Sequence, residues 1–166
     1  VTVFHSVCET VAYAHSRGVI HLDLKPSNIM IGDYGEVLVV DWGIAKVMPK
    51  KIFQEKHPGK RQVETNRSRK QTPILNAIAG TPTYMSPEQA AGRGDLIDER
   101  SDIYCLGAML YHLLSGRNAY TGSPLTIIQD KGIKDPRTLK LESEEDSRVG
   151  RAGPIPTELA EACDRA

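Results

Sequence analysis

The sequence predicts a mainly α-helical lobe carrying one small β-hairpin, an α+β arrangement within a single unit. Three observations predict it. Ile103, Leu106, Gly107, Leu110, Leu113 and Leu114 recur at the spacing of a wide apolar helical stripe, which marks a core helix over 101–116. Phe4, Val7, Cys8, Val11 and Ala14 repeat the same period near the start of the chain. Between these helices, Ile29-Met30-Ile31 and Val37-Leu38-Val39-Val40 flank Gly32-Asp33-Tyr34-Gly35, two strand-forming runs around residues that tolerate a tight turn.

Composition agrees with a globular domain. The 166 residues suffice for one core, and 40% of them are hydrophobic. With 21 basic and 21 acidic residues, bulk attraction to nucleic acid or to a membrane surface is not expected. Cys8, Cys105 and Cys163 are odd in number and far apart, a pattern that fits free thiols in a reducing compartment rather than disulfides or a zinc site. Neither a secretory signal nor a spanning apolar run is visible, so a cytoplasmic location is expected, with any membrane anchor outside this stretch.

In chain order, the first helix should end where Gly18 supplies a left-handed cap. His5 and His15 lie on it and read as ordinary packing or surface residues. The helix delivers the chain through Val19-Ile20 into His21-Leu22-Asp23-Leu24-Lys25-Pro26-Ser27-Asn28. The hairpin follows, and it folds Asp41-Trp42-Gly43 back toward Asn28. Two carboxylates, an amide and a lysine thereby gather on two short loops. Asp, Lys and Asn in loops are ordinarily solvated turn residues. Phosphoryl transfer from a nucleotide, however, asks for this set: oxygen ligands for Mg²⁺, an ammonium against the transferring phosphate, and a carboxylate facing the attacking hydroxyl.

The eight-residue run resembles the catalytic loop of bacterial eukaryotic-like Ser/Thr protein kinases, His-Arg-Asp-Leu-Lys-Pro-x-Asn, with one mismatch, and Asp41-Trp42-Gly43 is similar to their Asp-Phe-Gly. The resemblance implies a catalytic loop at 21–28, a metal-binding loop at 41–43 and an activation segment over 41–88. It implies that Asp23 orients the substrate hydroxyl or accepts its proton, that Lys25 holds the γ-phosphate of ATP, and that Asn28 and Asp41 bind Mg²⁺. Leu22 stands where the family has arginine, and Trp42 where it has phenylalanine. Leucine offers no charge for a phosphate on the activation segment, but it can pack beneath the loop.

From Lys46 to Lys70 there are nine Lys/Arg against two Glu with little apolar periodicity, which reads first as a long solvated loop, with an anion-binding arm for a phosphorylated partner or a nucleic acid backbone as the alternative. Gly80-Thr81-Pro82-Thr83-Tyr84-Met85-Ser86-Pro87-Glu88-Gln89 then resembles the family's Gly-Thr-x-x-Tyr-x-Ala-Pro-Glu block. That likeness implies that Thr81 hydrogen-bonds Asp23 and Lys25, that the surrounding loop seats the peptide, and that the acceptor is Ser or Thr. Ser101 and Asp102 read as the N-cap of the core helix, and Gly116 as its stop. The resemblance adds that Asp102 supports the catalytic loop from below. A shorter helix is expected from Ser123-Pro124 to Gly132, a solvated linker with the acidic run Glu142 to Asp146 after it, and a last helix from Pro156-Thr157.

Neither a Gly-x-Gly-x-x-Gly loop nor a strand lysine of the Val-Ala-Ile-Lys kind is visible. The expectation is therefore a partial kinase domain over 1–166: the C-terminal lobe, without the nucleotide-gripping N-terminal lobe, and without ATP turnover by itself. Glu88 should then lack the arginine partner that the family supplies from later helices. The complete protein is expected to transfer the γ-phosphoryl group of ATP to Ser/Thr hydroxyls of a protein substrate. A pseudokinase, keeping the fold as a nucleotide-binding or scaffold module without turnover, is the alternative, and Leu22 and Trp42 are the hints toward it.

Overall fold

The computed structural model describes residues 2–48 and 79–131, together with 158, 161 and 162. The greater part of the expected basic loop, the acidic run 142–146 and the start of the expected last helix lie outside the described residues.

Helix α1, Thr2–Ser16, buries Val7, Val11 and Ala14 on one face, as the apolar spacing requires. Gly18 (φ 73°) turns the chain out of it; only a residue without Cβ takes this left-handed conformation freely. Strand β1, Val19–Ile20, follows. Next come a single 3₁₀ turn at Pro26–Asn28 and strands β2, Ile29–Ile31, and β3, Val37–Val39. The hairpin is antiparallel, with Ile29 opposite Val39 and Ile31 opposite Val37. Val40 N–H donates to Asn28 O at 2.9 Å, which extends the pairing by one step and sets Asp41 next to the end of the catalytic loop.

One strand falls inside the stretch expected to be loop. Lys46–Val47 forms β4 and pairs antiparallel with β1, Ile20 opposite Lys46 and Val19 opposite Val47. Met48 N–H adds a bond to Gly18 O. The Lys46 ammonium donates to Gly94 O at 2.8 Å and to Ile97 O at 3.2 Å, so the first lysine of the basic run is structural. Two residues are too short for a period-two pattern to show, which is why the sequence reading passed over them.

Helix α2, Pro87–Ala90, is a single turn closed by a capping box between Ser86 and Gln89. Helix α3 runs Glu99–Ser115, two residues earlier at its start than the expected 101–116, and Gly116 (φ 66°) closes it. The N-cap is Asp98, whose carboxylate accepts from Arg100 N–H, rather than Ser101 or Asp102. Those two lie one turn further in and face the core, fully buried. The apolar stripe is corrected as well. Ile103 (43% exposed) and Leu113 (60% exposed) face outward, and the buried face runs through Ser101, Asp102, Cys105, Leu106 and Met109. Its first turn is polar, so hydrophobicity alone places the stripe on the wrong side there. Helix α4, Pro124–Lys131, starts at Ser123, whose hydroxyl accepts from Thr126 N–H, in line with the expected cap.

The main core joins α1, the hairpin and α3 through Val7, Val11, Leu24, Val39, Cys105, Leu106 and Met109, with Phe4, Cys8 and Trp42 packed around it. A second cluster of Tyr111, Ala119, Tyr120 and Ile127 holds α4 against α3. The third joins Ile20, Leu22 and Ile97, with Met48 packed against them. No helix among the described residues is long and apolar enough to cross a membrane.

Candidate active site

The start of the expected catalytic loop, residues 21–28, is held by one carboxylate. Asp102, fully buried at the start of α3, accepts the backbone N–H groups of His21 and Leu22, each at 2.8 Å. A third donor, His15 Nε2, reaches the same Oδ2 at 2.8 Å from the end of α1. His15 is therefore neither an ordinary packing residue nor a surface one. A buried carboxylate needs its oxygens satisfied, and these three donors satisfy them.

Leu22 takes a left-handed backbone conformation (φ 69°), and its side chain packs against Ile20 and Ile97. The leucine thus occupies an apolar cluster with Ile20, Ile97 and Met48, while most of the activation segment it was expected to underlie falls outside the described residues. A strained conformation of this kind persists only where the surroundings over-determine it. Here they do: Leu22 N–H goes to Asp102, and Leu22 O accepts from Gln89 Nε2 at 2.7 Å.

Asp23 is the centre of the polar cluster. Its Oδ1 accepts from both the backbone N–H and the hydroxyl of Thr81, each at 2.9 Å. Its Oδ2 accepts from Lys25 Nζ at 2.7 Å and from Asn28 Nδ2 at 3.3 Å. Lys25 Nζ also donates to Thr81 Oγ1 at 2.9 Å, so Asp23, Lys25 and Thr81 close a ring of hydrogen bonds across 58 residues of sequence. Burial pushes the Asp23 carboxyl up, but the hydrogen bonds from Lys25 and Thr81, with the Lys25 charge, outweigh it and hold the group below its usual range. Asp23 is accordingly a carboxylate at neutral pH.

The oxygen donors expected for a metal lie on the two chain segments that the hairpin places side by side, where Val40 N–H donates to Asn28 O. The Asn28 side chain, 6% exposed, spends its NH₂ on Asp23 O at 2.8 Å and Asp23 Oδ2, which leaves Oδ1 with no donor among the described residues. Asp41 sits at φ 64° with an exposed carboxylate, and no described group pairs with it. A β-carbon on Gly43 would meet Asp41 Oδ1 at 3.2 Å, tighter than ordinary contact, which gives the glycine two residues on a steric reason. One amide oxygen and one carboxylate, both without partners among the described residues, fit a hard divalent cation. Among the described residues no group of three His, Cys, Asp or Glu forms a protein-only metal cage, so such an ion would draw further ligands from phosphate oxygens and water.

His21 and Gln89 are working parts that the sequence reading did not single out. The His21 ring is fully buried; Nε2 lies 3.1 Å from Val40 O, and Nδ1 accepts from Asp23 N–H at 3.2 Å. One tautomer, with the proton on Nε2, serves both contacts. The ring also lies against Trp42 with centroids 4.5 Å apart. It thus ties the catalytic loop to the Asp41 loop, and Trp42 Nε1 anchors the latter by donating to Val39 O at 3.0 Å. Only the first position of the motif could have signalled this. Glu88, expected to lack its arginine partner, accepts instead from Ser101 Oγ at 2.5 Å.

Residues 1–163 match the protein kinase domain family. Among curated proteins the chain is 43% identical over 121 residues to the serine/threonine-protein kinase PknD of Protochlamydia amoebophila, covering 71% of this chain and 12% of that protein. It is 41% identical over 117 residues to PknD of Chlamydia felis and 41% over 119 residues to PknD of Chlamydia caviae, each match covering 69% of this chain and 12% of the relative. The chain therefore spans about an eighth of the length of the curated relatives it matches.

Proposed function

The chain belongs to the protein kinase domain family, and on that premise we propose that the complete protein transfers the γ-phosphoryl group of ATP to Ser or Thr hydroxyls of a protein substrate. The observation that carries this reading is the Asp23–Lys25–Thr81 ring, which places an ionised carboxylate and an ammonium side by side on loops braced by Asp102. Asp23 orients the attacking hydroxyl. Because Lys25 and the Thr81 donors hold its carboxyl low, it takes the proton late, as the phosphoryl group transfers to the hydroxyl oxygen, rather than deprotonating a free alcohol beforehand. Lys25 meets the γ-phosphate as a point charge. Asn28 Oδ1 and Asp41 would hold Mg²⁺, and the ion would supply positive charge against the phosphates. Thr81 links the loop that seats the substrate peptide to the catalytic carboxylate.

The described residues form, on this reading, the larger helical lobe of the kinase domain. Cys8 and Cys105 are free thiols, which supports a cytoplasmic setting for it. The substitutions at 22 and 42 remove no functional group from the cluster: Leu22 fills an apolar seat and Trp42 packs on His21. The test is a Mg-ATP titration of the complete protein combined with transfer of labelled γ-phosphate to Ser- and Thr-containing protein substrates. Binding with transfer supports the enzyme; Mg-ATP binding without transfer under any substrate would establish the scaffold reading instead.

A further inference from the structure

We infer that Gln89 is a positioning residue for phosphoryl transfer, fixing the peptide group that leads into Asp23 and tying it to the segment that seats the substrate. The inference rests on the phosphoryl-transfer reading above. The peptide plane between Leu22 and Asp23 has two polar ends. Its N–H goes to His21 Nδ1 at 3.2 Å, and its carbonyl accepts from Gln89 Nε2 at 2.7 Å. Because a peptide unit is rigid and planar, holding both ends sets the direction in which the Asp23 side chain leaves the backbone.

The second hydrogen of the same NH₂ goes to Ala79 O at 3.3 Å, at the start of the segment that carries Thr81. Gln89 Oε1 accepts from Ser86 N–H at 3.0 Å, from the Ser86 hydroxyl at 3.2 Å and from the Cys105 thiol at 3.9 Å. Every polar position of the amide is thus engaged. One 4% exposed side chain joins the catalytic loop, the residue before Gly80, the Ser86 turn and α3. The junction is tight: a β-carbon on Gly80, whose φ is 116°, would come within 3.1 Å of Leu22 O and 3.3 Å of Gln89 Nε2. Only glycine takes that conformation readily, and only glycine leaves the amide its place.

The coupling runs in both directions. A displacement of the 79–86 segment when substrate docks reaches Leu22 O through one hydrogen-bonded amide, and through it the direction of Asp23. Thr81 supplies the parallel link on Oδ1 of Asp23. Gln89 therefore acts on kcat rather than on nucleotide affinity, since none of its contacts involves Lys25, Asn28 or Asp41.

The test uses the complete protein with Gln89→Met and Gln89→Glu. Methionine keeps the volume and removes the donors; kcat should fall at least tenfold while the KM for Mg-ATP changes less than twofold, and amide exchange over residues 20–25 should quicken. Glutamate separates placement from packing. Protonated, it can still donate to Leu22 O; ionised, it sets a negative charge against two carbonyl oxygens. Burial and those carbonyls favour the protonated form. The titratable group in contact with this position is the Cys105 thiol, which burial keeps in its S–H form, with Asp102, Asp23, Glu88 and Lys131 next around that thiol. The ratio of Gln89→Glu to wild-type kcat should therefore rise at least fivefold as pH falls from about 8 to about 6. Wild-type kcat in both variants, or a pH-independent ratio with unchanged exchange, would overturn the positioning role while transfer by the wild type still stood. A wild type that binds Mg-ATP without transferring phosphate would overturn the phosphoryl-transfer reading, and the positioning role with it.

Discussion

Replacing Asp102 by Ala should loosen the catalytic loop without touching any residue of the Asp23–Lys25–Thr81 ring. The magnitude follows from the bonds removed. Two buried backbone N–H groups, those of His21 and Leu22, lose their only described acceptor, and His15 Nε2 loses its carboxylate. Leaving a buried donor unsatisfied costs about 1–3 kcal/mol, and breaking a buried charged network about 3–5 kcal/mol, so a loss of about 3–5 kcal/mol is expected locally. Asp102→Asn keeps the shape and one acceptor oxygen but turns an NH₂ toward the other N–H; it should cost about 2–4 kcal/mol. Hydrogen exchange of the complete protein, read at the amides of His21 and Leu22, suits this test because it reports local opening in a long chain. A loss of 3–5 kcal/mol corresponds to exchange faster by about a hundredfold to several thousandfold. The His15→Ala variant should reproduce a smaller part of the effect and couple to Asp102→Ala by about 1 kcal/mol or more in a double-mutant cycle. Less than tenfold acceleration in Asp102→Ala would show that water reaches those amides, and would refute the view that this carboxylate holds the loop.

Two further outcomes follow from side chains that break the expected pattern. Since Leu22 sits in an apolar cluster and offers no donor to a phosphate, replacing Thr65, Ser68 and Thr72 together by Ala in the complete protein should change the transfer rate less than about tenfold, roughly 1.4 kcal/mol of barrier. A larger loss reversed by Asp or Glu at one of these positions, all outside the described residues, would show that another cation grips a loop phosphate. Lys131 is 5% exposed, with its ammonium 4.4 Å from the Tyr120 ring centroid and hydrogen-bonded to Tyr104. Burial lowers its pKa from 10.5 to about 8, so in the folded protein the charged form is disfavoured. The penalty is present in full below about pH 8 and fades as pH rises toward the unfolded value. Lys131→Met should accordingly stabilise the domain at pH 7 by about 1–3 kcal/mol, the pKa difference less the lost ring contacts, with the gain shrinking above about pH 8. Equal melting shifts at pH 7 and pH 10 would count against a buried charge there.

Much of the site was legible in the sequence because its residues lie close together in the chain. Asp23, Lys25 and Asn28 share one loop, and the turn chemistry of Gly32 to Gly35 was enough to bring Asp41 beside Asn28. The link from Asp23 to Thr81 came from the family resemblance, and the observed bonds match it. What escaped notice was long-range and polar. His15 and Asp102 are 87 residues apart, and Gln89 and Leu22 are 67 apart. Neither pair leaves a periodic trace, since each depends on a single side chain aimed across the fold. The core helix shows the same limit in another form. Its first turn buries Ser101 and Asp102 because their partners, Glu88 and the catalytic loop, wait inside, and no hydrophobicity pattern records that.

The division of labour between the two carboxylates is the centre of the account, and two variants of the complete protein test it most directly. Asp23→Asn and Asp41→Asn should be compared for Mg-ATP affinity and for phosphate transfer in the same preparation. Asp41 has no described partner other than a prospective cation, so its loss should weaken Mg-ATP binding. On the proposed reading Asp23 faces the substrate hydroxyl, so Asp23→Asn should bind Mg-ATP nearly as well as wild type and transfer phosphate about two to four orders of magnitude more slowly. Equal loss of Mg-ATP affinity in both variants, or undiminished transfer by Asp23→Asn, would contradict the roles assigned to them.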